Sequence, residues 1–527
     1  MTSKPASSES AEPADLAARA AEKHVVVIGG GIGGLIAARE CAKVGMRVTV
    51  LEEADALGGA IRRVDLDGVV VDAGAESYAT RGGHVRALVE ELGLGDRVVL
   101  PQAGGAWLAG IPGVGAAPVP VGGILGIPAN PFQDDVRRVI GWSGVWRAYL
   151  DRVRPPLTIG HQLSLGKLVA SRMGAKVRDR LVAPVTTGVY SASPEDVDID
   201  AAAPGLNAAL TRVGSLSGAV QALRDDAAGR AQGATSEAKA PGSAVEGLSG
   251  GMSALVDALA EDLTGLGAEV RTGSRVRSLR KADGAWSVEV EVAAEAVVEA
   301  PSSDEGAVVA DLRAAELAAA ESATEELSAD AVIVATSESV ARGLLATAVP
   351  ALSAAEAASS PEIEIVTLLL DAPELDAAPR GTGVLTVPGS HTAKALTHST
   401  AKWAWVREAA GSRHVVRVSF GAQGEPAATA ALSDEAAADL ARSEAAAMLG
   451  VALDPASVLA SHRGRFVQSQ PASIIGSGER RAAARAAVQA VPGIAVVGAW
   501  LAGTGLAQVI PDARDEADRL RRALLWD

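Results

Sequence analysis

His24-Val25-Val26-Val27-Ile28-Gly29-Gly30-Gly31-Ile32-Gly33-Gly34-Leu35-Ile36-Ala37-Ala38 runs from an apolar β-branched stretch into glycines and out again as a small-residue helical pattern. A second apolar run, 47–51, ends in Glu52, 18 positions after Gly34. Strand, glycine loop, helix, second strand and acid stand in the order of a dinucleotide-binding βαβ unit. Gly29 permits the tight turn, Gly31 lets the backbone approach a pyrophosphate, and Gly34 packs helix against strand. The helix start presents free N–H groups and a partial positive charge to that pyrophosphate. The candidate cofactor contacts here are Gly29, Gly30, Gly31, Ile32, Gly33 and Gly34, with Glu52 placed to accept from ribose hydroxyls.

At 527 residues the chain is long enough for about two or three domains. An apolar fraction of 48% with mean hydropathy +0.21 marks a globular protein, and 3% aromatic content makes its core aliphatic and alanine-rich. The formal charge of −16 argues against nucleic acid as a partner. That charge is uneven. Residues 289–330 hold 12 acidic side chains and one basic, Arg313, whereas residues 131–180 hold 10 basic and 4 acidic. The basic island fits an anionic small molecule; the commoner reading of such an island is a solvated or membrane-facing surface.

Cys41 is the only cysteine, so no internal disulfide forms and an oxidising compartment is not implied. It falls inside the first helix, where a small buried thiol is expected. The histidines are scattered without metal-site spacing, so no metal is expected. Residues 1–22 lack the apolar core of a signal peptide and read as a disordered tail. Residues 101–133 carry no charge, yet their 6 prolines and 8 glycines would leave backbone groups unsatisfied in lipid. They read as turns and short strands over a core or pocket. No spanning segment is expected, and the expected compartment is the cytoplasm.

Further strands are expected at 68–72, 268–272, 275–279, 286–292, 331–336, 363–370, 383–387, 395–398 and 415–420. Helices are expected at 254–263 and 433–449, with a helical stretch over 132–179. At the far end, Gly493-Ile494-Ala495-Val496-Val497-Gly498-Ala499-Trp500 leads to Gly503-Thr504-Gly505-Leu506-Ala507-Gln508-Val509-Ile510 and a last helix. A nicotinamide site is normally completed within one contiguous domain. A second glycine-bearing junction at the opposite end of the chain suits a flavin instead. The flavin's N1/O2 edge becomes anionic on reduction, and a helix N-terminus aimed at that edge stabilises it. An ordinary strand–turn–helix is the plainer reading of the same residues.

These pieces together resemble the protoporphyrinogen/coproporphyrinogen oxidase family of FAD-dependent, amine-oxidase-like flavoproteins, above all its Gram-positive and actinobacterial coproporphyrinogen III oxidases. The likeness runs from about His24 to the C-terminus. Leu57-Gly58-Gly59-Ala60 resembles the family's loop over the flavin, and Gly74-Ala75-Glu76-Ser77 its Gly-Pro-x-Ser-like turn. Pro184-Val185-Thr186-Thr187-Gly188-Val189-Tyr190 is similar to its "P…GVYag" element. Arg380-Gly381-Thr382-Gly383-Val384-Leu385 is similar to "GtGfLvP", and Lys402-Trp403-Ala404-Trp405 to "KWPW". The resemblance implies flavin contacts at Ala60, Gly74, Ala75, Glu76 and Ser77. It implies one at Val276 for the adenine end, and at Ala499, Thr504, Gly505 and Leu506 for the isoalloxazine end. Three departures occur near the last strand: Phe466 replaces Trp, Ser473 replaces Tyr and Ser477 replaces His.

The fold implied is α/β: a discontinuous Rossmann-like FAD-binding domain (23–100 with 246–345 and 460–527), a mixed-sheet substrate domain (101–130 with 346–459) and a helical subdomain (131–224). Residues 225–245 and 293–328 are expected as loop-like insertions. The implied reaction removes six hydrogens from a porphyrinogen in three two-electron steps, passing them through the flavin to dioxygen and releasing hydrogen peroxide. Aromatisation drives it, so the site needs a flat apolar pocket more than a strong acid or base, and no catalytic base is named. Tyr190, Leu385 and Trp403 are candidate pocket residues. Coproporphyrinogen III, with four propionates, suits a chain without a membrane segment; Arg137, Arg138, Arg147, Arg152 or Arg154 would receive those carboxylates. Protoporphyrinogen IX is the alternative substrate. A flavin amine oxidase would carry a lysine on the strand near 362–370, which has none. The three departures keep a non-catalytic flavin-binding reading open. Contact with a membrane surface or with other haem-pathway enzymes is compatible with the family.

Overall fold

Alternation within His24–Ile28 decides where the first strand sits, because Val25 and Val27 fill one core while Val26 and Ile28 fill another. A strand buried on both faces needs parallel neighbours and cover on both sides. The computed structural model describes residues 13–153, 163–231, 244–282, 284–292, 323–353, 360–467 and 473–526. In it a five-stranded parallel sheet runs in the order Glu269–Arg271, Arg47–Leu51, His24–Ile28, Ala331–Val334, Ile494–Val496. Val25 pairs with Val48 on one side and with Ala331 on the other.

One face of this sheet is covered by the loop helix Ile32–Ala42 and the terminal helix Leu506–Trp526, through Leu35, Ile36, Ile510, Ala513, Ala517 and Leu520. Each large side chain so buried contributes roughly 1.5–3 kcal/mol over exposure. Cys41 lies in this core, where burial pushes its thiol up to about 12. The other face packs on an antiparallel three-stranded sheet, Ser274–Ala282, Ala285–Val292 and Ala323–Ala329, through Trp286, Val288 and Val290.

A second, seven-stranded mixed sheet has the order Val458–Val467, Glu362–Leu370, His414–Phe420, Ala395–His398, Gly383–Thr386, Ala106–Ile111, Gly115–Pro118. The alanine-rich helix Asp434–Leu449 covers one face through Ala437, Ala441, Ala445 and Met448. Near the other edge, helices between Asp134 and Ala231 pack on Leu108, Ile111 and Val387. The uncharged 101–133 stretch supplies two of the sheet's strands and the small hairpin Gly123–Ile124 with Ile127–Pro128.

Three local expectations change. Residues 1–22 are not all tail: Pro13–Glu22 is helical, Ala20 is buried in the main core and Leu16 packs against it. The helix Leu216–Ala231 runs through the start of the expected 225–245 loop, as its alanines favour. The 293–328 insertion closes with the strand Ala323–Ala329, paired along Ala285–Val292. Residues 232–243 and 293–322 lie outside the described residues. The ten-residue strand Val458–Val467 had no sequence forecast, because His462, Arg463 and Arg465 break its apolar pattern.

Candidate active site

The glycine loop is built by close approaches. Gly29 has φ +109°, and a Cβ there would meet the Ala335 carbonyl oxygen at 2.7 Å. A Cβ on Gly34 would stand 2.0 Å from the Gly29 carbonyl oxygen, so helix and strand touch backbone to backbone. Gly31 is different: it has φ −71°, and a Cβ there would meet nothing within 4 Å. The loop therefore opens on the Gly31 side. The leading N–H groups of the helix that starts at Ile32 have no intrahelical acceptor. Glu52 closes the opposite side, its Oε2 accepting from the Gly30 N–H (2.7 Å) and its Oε1 from the Ala54 N–H (2.9 Å).

The other expected contacts gather around this opening. The Gly58 N–H donates to the Gly30 carbonyl at 2.9 Å, which sets Gly59 and Ala60 beside the loop. The Ala75 N–H donates to the Ala60 carbonyl at 3.1 Å, joining turn 74–77 to the same patch, and Ser77 follows half-buried before the short strand Tyr78–Ala79. Val276 stands two residues beyond Ser274, whose N–H donates to the Glu52 carbonyl at 2.8 Å. The far end of the chain arrives through Gly33: a Cβ there would lie 3.3 Å from the Gly498 Cα and from Val509 Cγ1. Ala499 begins the short turn Ala499–Ala502, while Thr504 and Gly505 immediately precede the helix that starts at Leu506. An open cradle, helix N–H donors and a fixed carboxylate are the donor set that fits the diphosphate and ribose of FAD.

Glu76 points the other way, into the mixed sheet. Its carboxylate pairs with Lys402 and with Arg417 Nη1 (2.8 Å), and accepts from Ser399 Oγ at 3.3 Å. Arg417 also donates to the carbonyls of Ala73 and Gly74, so one guanidinium of the His414–Phe420 strand holds the backbone of turn 74–77. Burial would push the Glu76 carboxyl up; Lys402 and Arg417 outweigh it and hold it down to about 2. Asp72, just before the turn, shows the opposite balance. Burial, with the Glu76 charge adding to it, pushes Asp72 up to about 7, against the pull of Arg417 and the N–H groups of Met252 and Ser253. Sequence reasoning singled out Glu76 and the element containing Lys402 but missed Arg417 and Asp72. The available signal was a lone arginine flanked by valines in the His-Val-Val-Arg-Val-Ser-Phe strand.

The candidate pocket residues separate. Trp403 is 1% exposed and belongs to the core that joins Val69 and Val71 to Leu369 and Val415, so it is not a lining residue. Tyr190 and Leu385 are half-buried, and Val189, the residue before Tyr190, is 63% exposed. The departure Phe466 rests its ring on turn 74–77, at 3.2 Å from where a Gly74 Cβ would be. Ser473 and Ser477 are both buried. The basic island spends much of its charge internally. Arg147 donates to the carbonyls of Arg172 (2.8 Å) and Ser171 (2.8 Å), Arg137 pairs with Asp134 at 2.9 Å, and Arg152 lies over the Tyr149 ring. Arg138 is exposed, and Arg154 lies outside the described residues.

Residues 32–521 match the family model described as flavin containing amine oxidoreductase. A coproporphyrinogen III oxidase of Mycobacterium tuberculosis is 31% identical over 490 residues, covering 91% of this chain and 93% of that one. The Bacillus subtilis coproporphyrinogen III oxidase is 25% identical, over 94% of this chain and 96% of its own. Among solved structures, a protein of Exiguobacterium sp. 255-15 provisionally described as a protoporphyrinogen oxidase superposes with a TM-score of 0.76 at 22% identity, over 95% of this chain and 99% of that one. Putrescine oxidase bound to putrescine superposes with a TM-score of 0.57 at 14% identity, over 96% and 99%. Among the described residues, no helix is long and apolar enough to cross a membrane.

Proposed function

The chain belongs to the flavin-containing amine oxidoreductase family, in the group of the coproporphyrinogen III oxidases, and from that membership we propose that it oxidises coproporphyrinogen III to coproporphyrin III in haem biosynthesis. It is an FAD-dependent oxidase. The bound flavin supplies the two-electron acceptor, and dioxygen is the inferred final oxidant, with hydrogen peroxide as its product.

What this chain's own residues contribute is binding and position. Residues 29–34 and Glu52 would hold the ADP half of the cofactor, with Val276 toward the adenine. Ala60 and turn 74–77 would flank the flavin, and Ala499, Thr504, Gly505 and Leu506 would bring a helix start to its pyrimidine edge. Arg417 and Lys402 fix turn 74–77 from the mixed sheet through Glu76 and two carbonyls, so the substrate-facing sheet and the cofactor loop move as one. Half-buried Tyr190 and Leu385 offer an apolar wall for a flat macrocycle. No residue is assigned as a base, because aromatisation of the macrocycle favours the reaction.

The likeness along nearly the whole length to coproporphyrinogen III oxidases carries this reading. Oxygen uptake by the purified yellow protein, followed together with porphyrin fluorescence and peroxide release, tests it with both porphyrinogens. Faster oxidation of coproporphyrinogen III is expected. A preference for protoporphyrinogen IX would move the assignment to the alternative substrate. A yellow protein inert to both would point to the non-catalytic reading.

A further inference from the structure

Several buried cations among the described residues pair with carboxylates. Arg417 and Lys402 have Glu76, and Arg172 has Asp151. Lys394 does not. It stands one residue before the strand Ala395–His398, its N–H donating to the Ser419 carbonyl at 2.9 Å, and it is 9% exposed. Its Nζ donates to Ser191 Oγ at 2.6 Å, and among the described residues no carboxylate lies within 4.0 Å of it. Glu444 of the helix Asp434–Leu449 is engaged by the N–H groups of Thr392 and Ala393. Burial alone pushes the Lys394 ammonium down to about 7.

The surroundings are those of a recognition site. Ser191 closes the helix Ala183–Tyr190 in the left-handed conformation, φ +55°, a strained setting for a residue other than glycine. Its carbonyl accepts from the Gln423 N–H at 2.9 Å, and the Gln423 side-chain oxygen is buried without a partner. Beside this polar nest the helix packs on the mixed sheet so closely that a Cβ on Gly188 would meet Leu385 Cδ2 at 2.5 Å. Next to that seam lie the half-buried Tyr190 and Leu385 and the exposed Val189. An uncompensated ammonium and a hydroxyl beside an apolar surface, with an amide whose oxygen has no partner, suit an amphipathic guest with an anionic end.

We propose that Lys394, with Ser191 and Gln423 beside it, is a subsite for one carboxylate of the substrate, an inference that rests on the porphyrinogen reading above. The ammonium donates to the carboxylate, the Ser191 hydroxyl adds a second donor while its oxygen keeps the Lys394 contact, and the Gln423 amide turned over presents its N–H to the same point. The apolar macrocycle then lies along Tyr190 and Leu385. This places the discriminating cation outside the basic island, whose arginines largely serve the protein itself.

Binding of oxidised coproporphyrin III to the FAD-loaded protein tests the assignment without turnover, with its tetramethyl ester as a macrocycle lacking carboxylates. Wild type is expected to prefer the acid and to bind it more weakly as pH rises above about 7, where Lys394 loses its proton. Lys394→Met is expected to bind the acid about tenfold more weakly at pH 6.5, with no pH trend. Lys394→Arg is expected to keep tight binding and to shift the pH trend upward. The thermal midpoint separates this from misfolding. Between about 7 and 10.5 the unfolded chain holds a proton at this position that the native state releases, so the stability cost of Lys394 is full below 7 and fades toward 10.5. Lys394→Met should therefore melt higher than wild type at pH 6.5, and the gap should shrink at pH 10. A Lys394→Met protein that binds coproporphyrin III as wild type does would overturn the subsite while leaving the enzymatic reading in place. A wild type that binds neither the acid nor the ester would overturn both.

Discussion

Glu76 keeps a full negative charge where burial by itself would neutralise it, because Lys402 and Arg417 flank its carboxylate. Removing that charge leaves two cations facing each other in a dry seam. Glu76→Gln should cost about 3 kcal/mol of stability at pH 7, since breaking a buried pair strands its partner. The sign with pH follows from the depressed carboxyl. Its contribution is complete above the ordinary 4.5 and is lost as pH falls toward 2. Urea unfolding at pH 7 and at pH 3 checks this: the gap between wild type and Glu76→Gln should narrow at the lower pH. An unchanged gap would mean that shape, not charge, makes Glu76 matter. At this scale the sequence was half legible. The Gly-Ala-Glu-Ser turn and the Lys-Trp element both stand out as strings, but their pairing joins positions 76 and 402, and no local pattern carries a contact across such a separation.

Elements with a strong period were the readable ones. The central strand His24–Ile28, the loop helix and the strands of the mixed sheet fall close to where apolar alternation and glycine punctuation put them. The misses share a cause. Pro13–Glu22 and the end of Leu216–Ala231 are alanine-rich stretches whose helicity rests on propensity and on packing decided elsewhere. Val458–Val467 is a sheet-edge strand whose arginines pair with Glu364 and Asp434, partners invisible in its own sequence. The glycine loop allows a sharper test, because its glycines serve different ends. A Cβ on Gly34 collides with the Gly29 carbonyl, whereas one on Gly31 meets open space at an ordinary φ. Gly34→Ala should therefore fold poorly. Gly31→Ala should melt like wild type as the apoprotein, yet bind FAD at least about tenfold more weakly. Melting curves with and without FAD, together with flavin titration, decide it. A Gly31→Ala protein with wild-type flavin affinity would remove the loop's open side from the cofactor site.

At the scale of the whole molecule, the parallel sheet closes only when chain segments near residues 24–51, 269–271, 331–334 and 494–496 have met. The order of motifs along the chain made that discontinuity legible, since a glycine-bearing junction at each end asked for a common ligand. How the mixed sheet attaches was not legible, because the attachment is made by side chains of opposite charge and by a small apolar core shared between the mixed sheet and the hairpin Arg63–Leu66 with Val69–Asp72. Val69 and Val71 of the hairpin that leads into turn 74–77 pack on Leu369 and Val415 of the mixed sheet, and Arg417 ties the same turn from the same side. Chains of several domains often unfold in separate steps. Here the hairpin and turn 74–77, which reach the glycine loop through the Ala75 N–H to Ala60 and the Gly58 N–H to Gly30, are held to the mixed sheet by that core and by the Glu76 cluster, so calorimetry of the apoprotein should give one cooperative transition. FAD, bound only by the native state, should raise that transition as a unit, by about 2.7 kcal/mol at a hundredfold excess over its Kd. Two resolved transitions, with FAD moving only one of them, would show that the seam does not couple the glycine loop to the mixed sheet. Glu76 and Arg417 would then be a local ion pair and not a joint between the two parts of the fold.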